Sequence, residues 1–234
     1  MKALILIPCC DSKKESMPAT AFSLPIEGLS EMRNELAAMV RDTPWLINKP
    51  KNKRTHVEGV GPITLAMDLY NGKLFKPCRA ALTEVASGMH PSVHILIVSA
   101  FYGLVRLDES IKIYELQMGD KLSNGERVSE YWQAKGLSSI LAQFVAMMRI
   151  NVIWSLLPRS GYHTVFSDFW LTASDKSIDC FRVDIPGVRQ ASGYLRGRWV
   201  DYMIRLNPKY LLRDPEPPLD IPGVSPRHFD YPRC

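Results

Sequence analysis

Two unbroken apolar runs, residues 2–7 (KALILI) and 93–100 (VHILIVSA), constrain this chain more than any other feature. Both are rich in branched residues and lack the polar alternation of a half-exposed strand. Such runs suit strands covered on both faces of a sheet. Between them, residues 30–40 and 77–87 carry apolar side chains at helical spacing. A longer helical pattern over 126–149 runs through Tyr131, Trp132, Leu137, Ile140, Leu141, Phe144 and Met147, and a strand candidate follows at 151–156. Strand, helix and strand in repeated order predict an α/β fold. With 234 residues, 46% of them hydrophobic, the chain can bury a sizeable core. Residues 1–212 are expected to form one α/β domain, and 213–234 a proline-rich extended tail without a core face. Residues 49–61 (KPKNKRTHVEGVG) lose apolar periodicity and are expected to form an exposed basic loop.

Charge and composition narrow the function classes. A formal net charge of +5 favours acidic partners such as nucleic acid or nucleotides, though only modestly. No run approaches the ~18 apolar residues of a membrane span, and Met1-Lys2 leads into the first strand without the cleavage pattern of a signal peptide. A cytoplasmic protein with no membrane partner is expected. The cysteines at 9, 10, 78, 180 and 234 show no CxxC spacing, so reduced thiols are expected. His56, His90, His94, His163 and His228 have no metal-ligand spacing, and no metal is assigned.

The first run ends in PCCDSKK, residues 8–14. In α/β sheets the loops at the carboxyl ends of strands build the site, and backbone amides there combine with lysine and serine to hold an anion. The stretch lacks the glycines of a phosphate-binding loop or a dinucleotide fingerprint, so no cofactor is expected. Two buried thiols and a solvated lysine pair at a strand end explain the same residues. At the end of the second run, Ser99, Phe101 and Tyr102 supply a polar group and two rings for stacking an unpaired base, whereas one packed ring and a turn at Gly103 is the simpler reading. For proton transfer or glycosidic chemistry the candidate carboxylates are Asp68, Asp108 and above all Glu115. Asp68 serves equally well as a cap, and Asp108 as a turn-former. Arg189, Arg196, Arg198 and Arg205 recur among Tyr194, Trp199 and Tyr202, which a solvated helix face also explains. Arg196 stands beside Gly197, and a glycine inside a helix points to close approach by a backbone or a ligand.

Taken together, these stretches resemble the YaaA peroxide-stress family and its phage and bacterial relatives. The resemblance rests on a Cys-containing, Lys-bearing loop after the first strand, on Asp68 to Phe75 (DLYNGKLF), and on Ser99 to Leu104 (SAFYGL). It extends to Asp108 with Tyr114, Leu116, Met118 and Gly119, and to Arg196-Gly197. Phe101 departs from the pattern, standing where relatives often carry lysine. A more distant similarity, through Pro8 to Lys13, is to the lysine-transferring enzyme of archaeosine synthesis. The family resemblance implies a mixed, mainly parallel sheet flanked by helices, a positively charged cleft, association with DNA and protection from oxidative damage. Both resemblances imply a nucleobase-containing ligand, presented by nucleic acid (DNA before RNA) or as a nucleotide. On this reading Lys13 and Arg196 hold phosphate or carbonyl oxygens, Tyr102 stacks the base, Cys9 lines the pocket, and Glu115 or Asp108 handles a proton. Pro8, Ser12, Asp68, Tyr70, Ser99, Phe101, Gly103 and Tyr114 surround the ligand. Catalysis of a glycosylase or transferase type, DNA binding without catalysis, and thiol redox sensing all stay open at this point.

Overall fold

The computed structural model describes residues 1–14, 23–47, 59–173, 177–184, 192–206 and 208–212. The proline-rich segment and nearly all of the basic loop expected at 49–61 lie outside the described residues, as does Arg189.

The chain forms strand β1 (Ala3–Pro8), helices α1 (Leu29–Arg41) and α2 (Pro44–Ile47), strand β2 (Val60–Leu65), and helices α3 (Ala66–Leu69) and α4 (Phe75–Ala86). Strands β3 (Val93–Ser99), β4 (Gly103–Arg106) and β5 (Ser110–Ile113) follow, then helices α5 (Val128–Ala134) and α6 (Leu137–Met148). Strand β6 (Val152–Ser155), a π-helical turn Arg159–His163, helix α7 (Ser167–Ala173), strand β7 (Asp179–Arg182) and helix α8 (Ser192–Asp201) complete the order. A five-stranded sheet runs β4-β3-β1-β6-β7, with β1 parallel to β3 and β6, β6 parallel to β7, and β4 antiparallel at one edge. The fold is therefore a mixed, mainly parallel α/β sheet. Ala3 to Ile7 are all fully buried, as continuous apolar runs on an inner strand require. No helix among the described residues is long and apolar enough to cross a membrane.

The pattern over 126–149 is two helices, not one. Gly136 adopts φ +78° between α5 and α6, a conformation that costs other residues far more. The break lets Trp132 of α5 drive its ring against Gly103 and donate its indole N–H to the Ala100 carbonyl at 2.8 Å. Helix α8 ends at Asp201, where a π-helical turn (Tyr202–Leu206) takes over.

Parallel pairing brings the carboxyl ends of β1, β3, β6 and β7 to one rim of the sheet. The loop of residues 9–14, the turn of 100–102, the π-helical turn and Asp184 after β7 all leave from that rim, where α/β folds place ligands.

Candidate functional site

The loop after β1 is held by backbone bonds to the segment joining α3 to α4. Lys14 donates its N–H to the Leu69 carbonyl (2.8 Å), Asn71 donates to the Ser12 carbonyl (2.9 Å), and Lys13 bridges to Tyr70. Gly72 permits the crossing, because a Cβ there would stand 2.7 Å from Cβ and 2.8 Å from Sγ of Cys10. The Gly72 N–H instead donates to Cys10 Sγ at 3.2 Å. The glycine of the Asp-Leu-Tyr-x-Gly stretch therefore shapes the site loop by its size.

This clamp turns Lys13 inward. Its Nζ lies 4.1 Å from the centre of the Tyr114 ring and 5.9 Å from that of Tyr70, and donates to the Cys10 carbonyl at 3.0 Å. Burial pulls the ammonium below the ordinary lysine value, against the raising effect of the Cys9 and Cys10 sulfurs and the Asp11 and Glu115 carboxylates. Glu115 is half-buried, and its Oε2 is sealed from solvent without a hydrogen-bond partner. Beneath the lysine, Ser99 Oγ donates to the Tyr114 hydroxyl (2.8 Å), which is hydrogen-bonded to the Tyr70 hydroxyl (2.9 Å). Burial holds both phenols well above the ordinary tyrosine value, so they stay neutral donors. Cys9 Sγ meets the Tyr162 hydroxyl at 3.2 Å. Cys10 differs from a reactive thiol: burial pushes it up to about 11, and the nearby lysine does not reverse that. Both cysteines are free.

Of the residues singled out in the sequence, Cys9, Lys13, Tyr70, Ser99, Tyr114 and Glu115 converge here. Pro8 is the last residue of β1, paired with Val98. Ser12 contributes its carbonyl, which also accepts from the Cys10 thiol at 3.1 Å. Asp68 falls within α3 itself and not at the position before it, so the capping role is not the one it fills.

Four expectations are corrected. Asp108 does not join the cluster: it is exposed on the β4–β5 turn and pairs with Arg106 Nε at 3.2 Å. Phe101 is buried against Tyr114, ring centres 5.7 Å apart, and offers no open face for a base. Tyr102 is committed as well: its hydroxyl accepts from the Lys112 N–H (3.0 Å) and donates to the Lys112 carbonyl (3.2 Å), while Arg33 covers its ring at 5.4 Å. Gly103 is paired with Ser99 in the β3–β4 ladder, but the side its Cβ would occupy is filled by the Trp132 ring and not open to a ligand. As for Gly197, the close approach is made by the start of a helix: a Cβ there would collide with the carbonyl of Leu74, just before α4, and with the Pro77 ring.

Arg196, on α8, is half-buried, and burial pulls its guanidinium below the ordinary arginine value against the opposing effect of the Asp184 charge. Arg205, read as a solvated cation, is paired with Asp201 and Glu84. Sequence reasoning missed Tyr162, Arg159, Arg182 and Asp184. The stretch after β6, residues 157–166 (LPRSGYHTVF), holds Arg159 and Tyr162 but neither Arg182 nor Asp184. Among the described residues no group of three or more His, Cys, Asp or Glu is placed to hold a metal ion.

Comparison with known proteins adds a family. The family model described as peroxide stress protein YaaA matches residues 23–184, more than half of the chain. An UPF0246 protein of Francisella philomiragia subsp. philomiragia is 31% identical over 129 residues, which cover 55% of this chain and 47% of that protein. An UPF0246 protein of Francisella tularensis subsp. tularensis is 27% identical over 92 residues, 39% of this chain and 36% of that protein. The chain thus matches less than half the length of either relative.

Proposed function

The chain belongs to the YaaA peroxide stress family, and from that membership we propose that it binds a nucleobase-bearing molecule, nucleic acid or nucleotide, at the Lys13 cluster and processes the base there. One observation carries the reading: a lysine ammonium folded over the Tyr114 ring, within electrostatic reach of Glu115, whose Oε2 is sealed and partnerless. A protein that only grips phosphates gains nothing from a buried carboxylate, which repels a polyanion. A processing site gains a proton acceptor, or a charge that stabilises a cationic sugar carbon. Lys13 is a donor suited to the carbonyl edge of a base, and the buried, mutually bonded phenols of Tyr70 and Tyr114 hold the floor beneath it.

The competing reading is a DNA-binding protein that shields against oxidative damage without catalysis. The net charge of +5 and the family's peroxide-stress description favour it. Substitution Glu115→Gln separates the two. The processing reading expects nucleic-acid affinity to hold or rise, while base modification or release, followed by mass spectrometry of digested DNA and tRNA, drops by about 10²-fold or more. Wild-type protein that leaves oxidised and hypermodified DNA and RNA unchanged, with a variant that binds no differently, hands the case to the shielding reading.

A further inference from the structure

Two lysines lie over tyrosine rings among the described residues, and their charges are met differently. Lys135 stands 5.7 Å from the centre of the Tyr131 ring and pairs with Glu35 Oε1 at 2.6 Å. Its ammonium is answered where it lies. Lys13 stands closer to its ring, 4.1 Å from the centre of Tyr114, and among the described residues its one hydrogen bond goes to the neutral Cys10 carbonyl at 3.0 Å, with no ion pair. The clamp that ties Lys14 to Leu69 and Asn71 to Ser12 holds it there. One carbonyl answers one of an ammonium's N–H donors, and a ring face attracts the charge without replacing the lost water.

A neutral amine gives up far less on entering such surroundings, and burial accordingly holds Lys13 below the ordinary lysine value. A lysine amine desolvated in this way is a nucleophile toward carbonyl carbon. Lys13 is only half-buried, and its loop leaves from the rim where α/β folds place ligands. The substrate class follows from that chemistry together with the base-processing reading, on which this inference rests. Release of a base by N-glycosidic cleavage leaves a sugar that opens to an aldehyde at C1′. The Lys13 amine adds to C1′, the N–C bond forming as the carbonyl π bond breaks. The carbinolamine oxygen then leaves as water with both amine protons, and an imine remains. Nothing is oxidised or reduced, and one water reverses the step.

We propose that Lys13 is a catalytic nucleophile that holds the base-free sugar of its substrate as an imine at C1′. The chain then acts on the sugar aldehyde as well as on the base.

Borohydride trapping tests it. The full chain is mixed with an oligonucleotide carrying an abasic site, made by removing a uracil, and in parallel with ribose 5-phosphate; sodium borohydride then reduces any imine to a stable amine that joins protein to sugar. An adduct is expected, on a denaturing gel for the oligonucleotide and by intact mass for the sugar phosphate, and peptide mass spectrometry should place it on Lys13. Trapping with the oligonucleotide identifies a polymer substrate, and trapping with ribose 5-phosphate alone a free nucleotide. Lys13→Gln should lose the adduct. Lys135→Gln and Lys14→Gln, the latter at the exposed neighbouring position, should keep it, with urea unfolding to show that each variant is folded. The peptide map of wild-type protein needs no variant and decides the matter if Lys13→Gln does not fold. No adduct with either probe, an adduct spread over several lysines, or one undiminished in folded Lys13→Gln overturns the nucleophile. An adduct on Lys13 from a chain that leaves every base-bearing DNA and RNA unchanged removes the processing reading and keeps the imine site; base release without a Lys13 adduct does the reverse.

Discussion

Arg33 and Lys13 are both cations folded against tyrosine rings near the turn of residues 100–102, and they differ in how their partners are met. Arg33 donates from Nε to the Tyr102 carbonyl (2.8 Å), from Nη1 to Glu109 Oε1 (2.6 Å) and from Nη2 to the Leu104 carbonyl (2.9 Å). Glu109, only 1% exposed, uses its second oxygen on the Arg106 N–H at 3.3 Å. Every strong group in that pair has an answer, and the result ties α1 to β4 and the start of β5. Lys13 has one carbonyl and a ring, and the nearby Glu115 oxygen has nothing. A buried ion pair with complete hydrogen bonding holds a fold together; the Lys13 cluster leaves a sealed carboxylate oxygen unanswered, and that is the feature the proposed ligand would use.

The largest effect is expected at Arg33. Arg33→Met strands Glu109 in the interior, and a loss of about 3–5 kcal/mol is expected from urea unfolding. A loss below ~1 kcal/mol would show that the pair is not the structural member of the two. Lys13→Gln should move stability by no more than ~1 kcal/mol, because it removes a desolvated charge together with one hydrogen bond.

Lys13 also gives the comparison a pH signature. Its folded pKa lies below the ordinary 10.5, so between the two values the unfolded chain binds more protons than the folded one. Stability then rises with pH through that window. The penalty of the buried charge is present in full below the folded pKa and is relieved as pH climbs toward 10.5. The stability of wild type relative to Lys13→Gln should therefore increase from neutral pH into that range, and a flat difference would place Lys13 in solvent. The smallest effect concerns Cys10, whose thiol is pushed up to about 11. Alkylation of folded protein, mapped by mass spectrometry, should modify Cys10 far more slowly than after unfolding at neutral pH; equal rates would mean the loop is not closed over it.

The clamp of residues 9–14 was legible only in outline. PCCDSKK marked a reactive loop after a strand, and DLYNGKLF marked a second unusual stretch, but nothing in either string shows that Gly72 must make room for Cys10. Glu115 was separable from Asp108 only by their surroundings. Their residue chemistry is the same, and the β4–β5 turn carries one outward to Arg106 while the other is drawn beside Lys13. The rings of SAFYG were assigned to a ligand because exposed and packed aromatics look alike in a sequence; Trp132, arriving from α5, and Arg33, from α1, settle them into the core.

What the sequence determined by itself is the sheet's centre. β1 and β3 are readable because a strand covered on both faces must be apolar at every position, a condition that local composition meets or fails on its own. The four-residue strands β4, β5, β6 and β7 are too short to meet a comparable local condition, and only β6 comes near it, with three apolar residues before Ser155. The pairing of polar groups was left to tertiary structure. Cys9 and Tyr162 stand 153 residues apart in the chain, and Arg33 and Glu109 stand 76 apart. Hydrophobic burial is non-directional and leaves a periodic trace in the chain, whereas a hydrogen bond or ion pair exists only where two groups are brought within about 3 Å at the right angle. Only the folded sheet, by aligning the ends of its parallel strands, sets that distance.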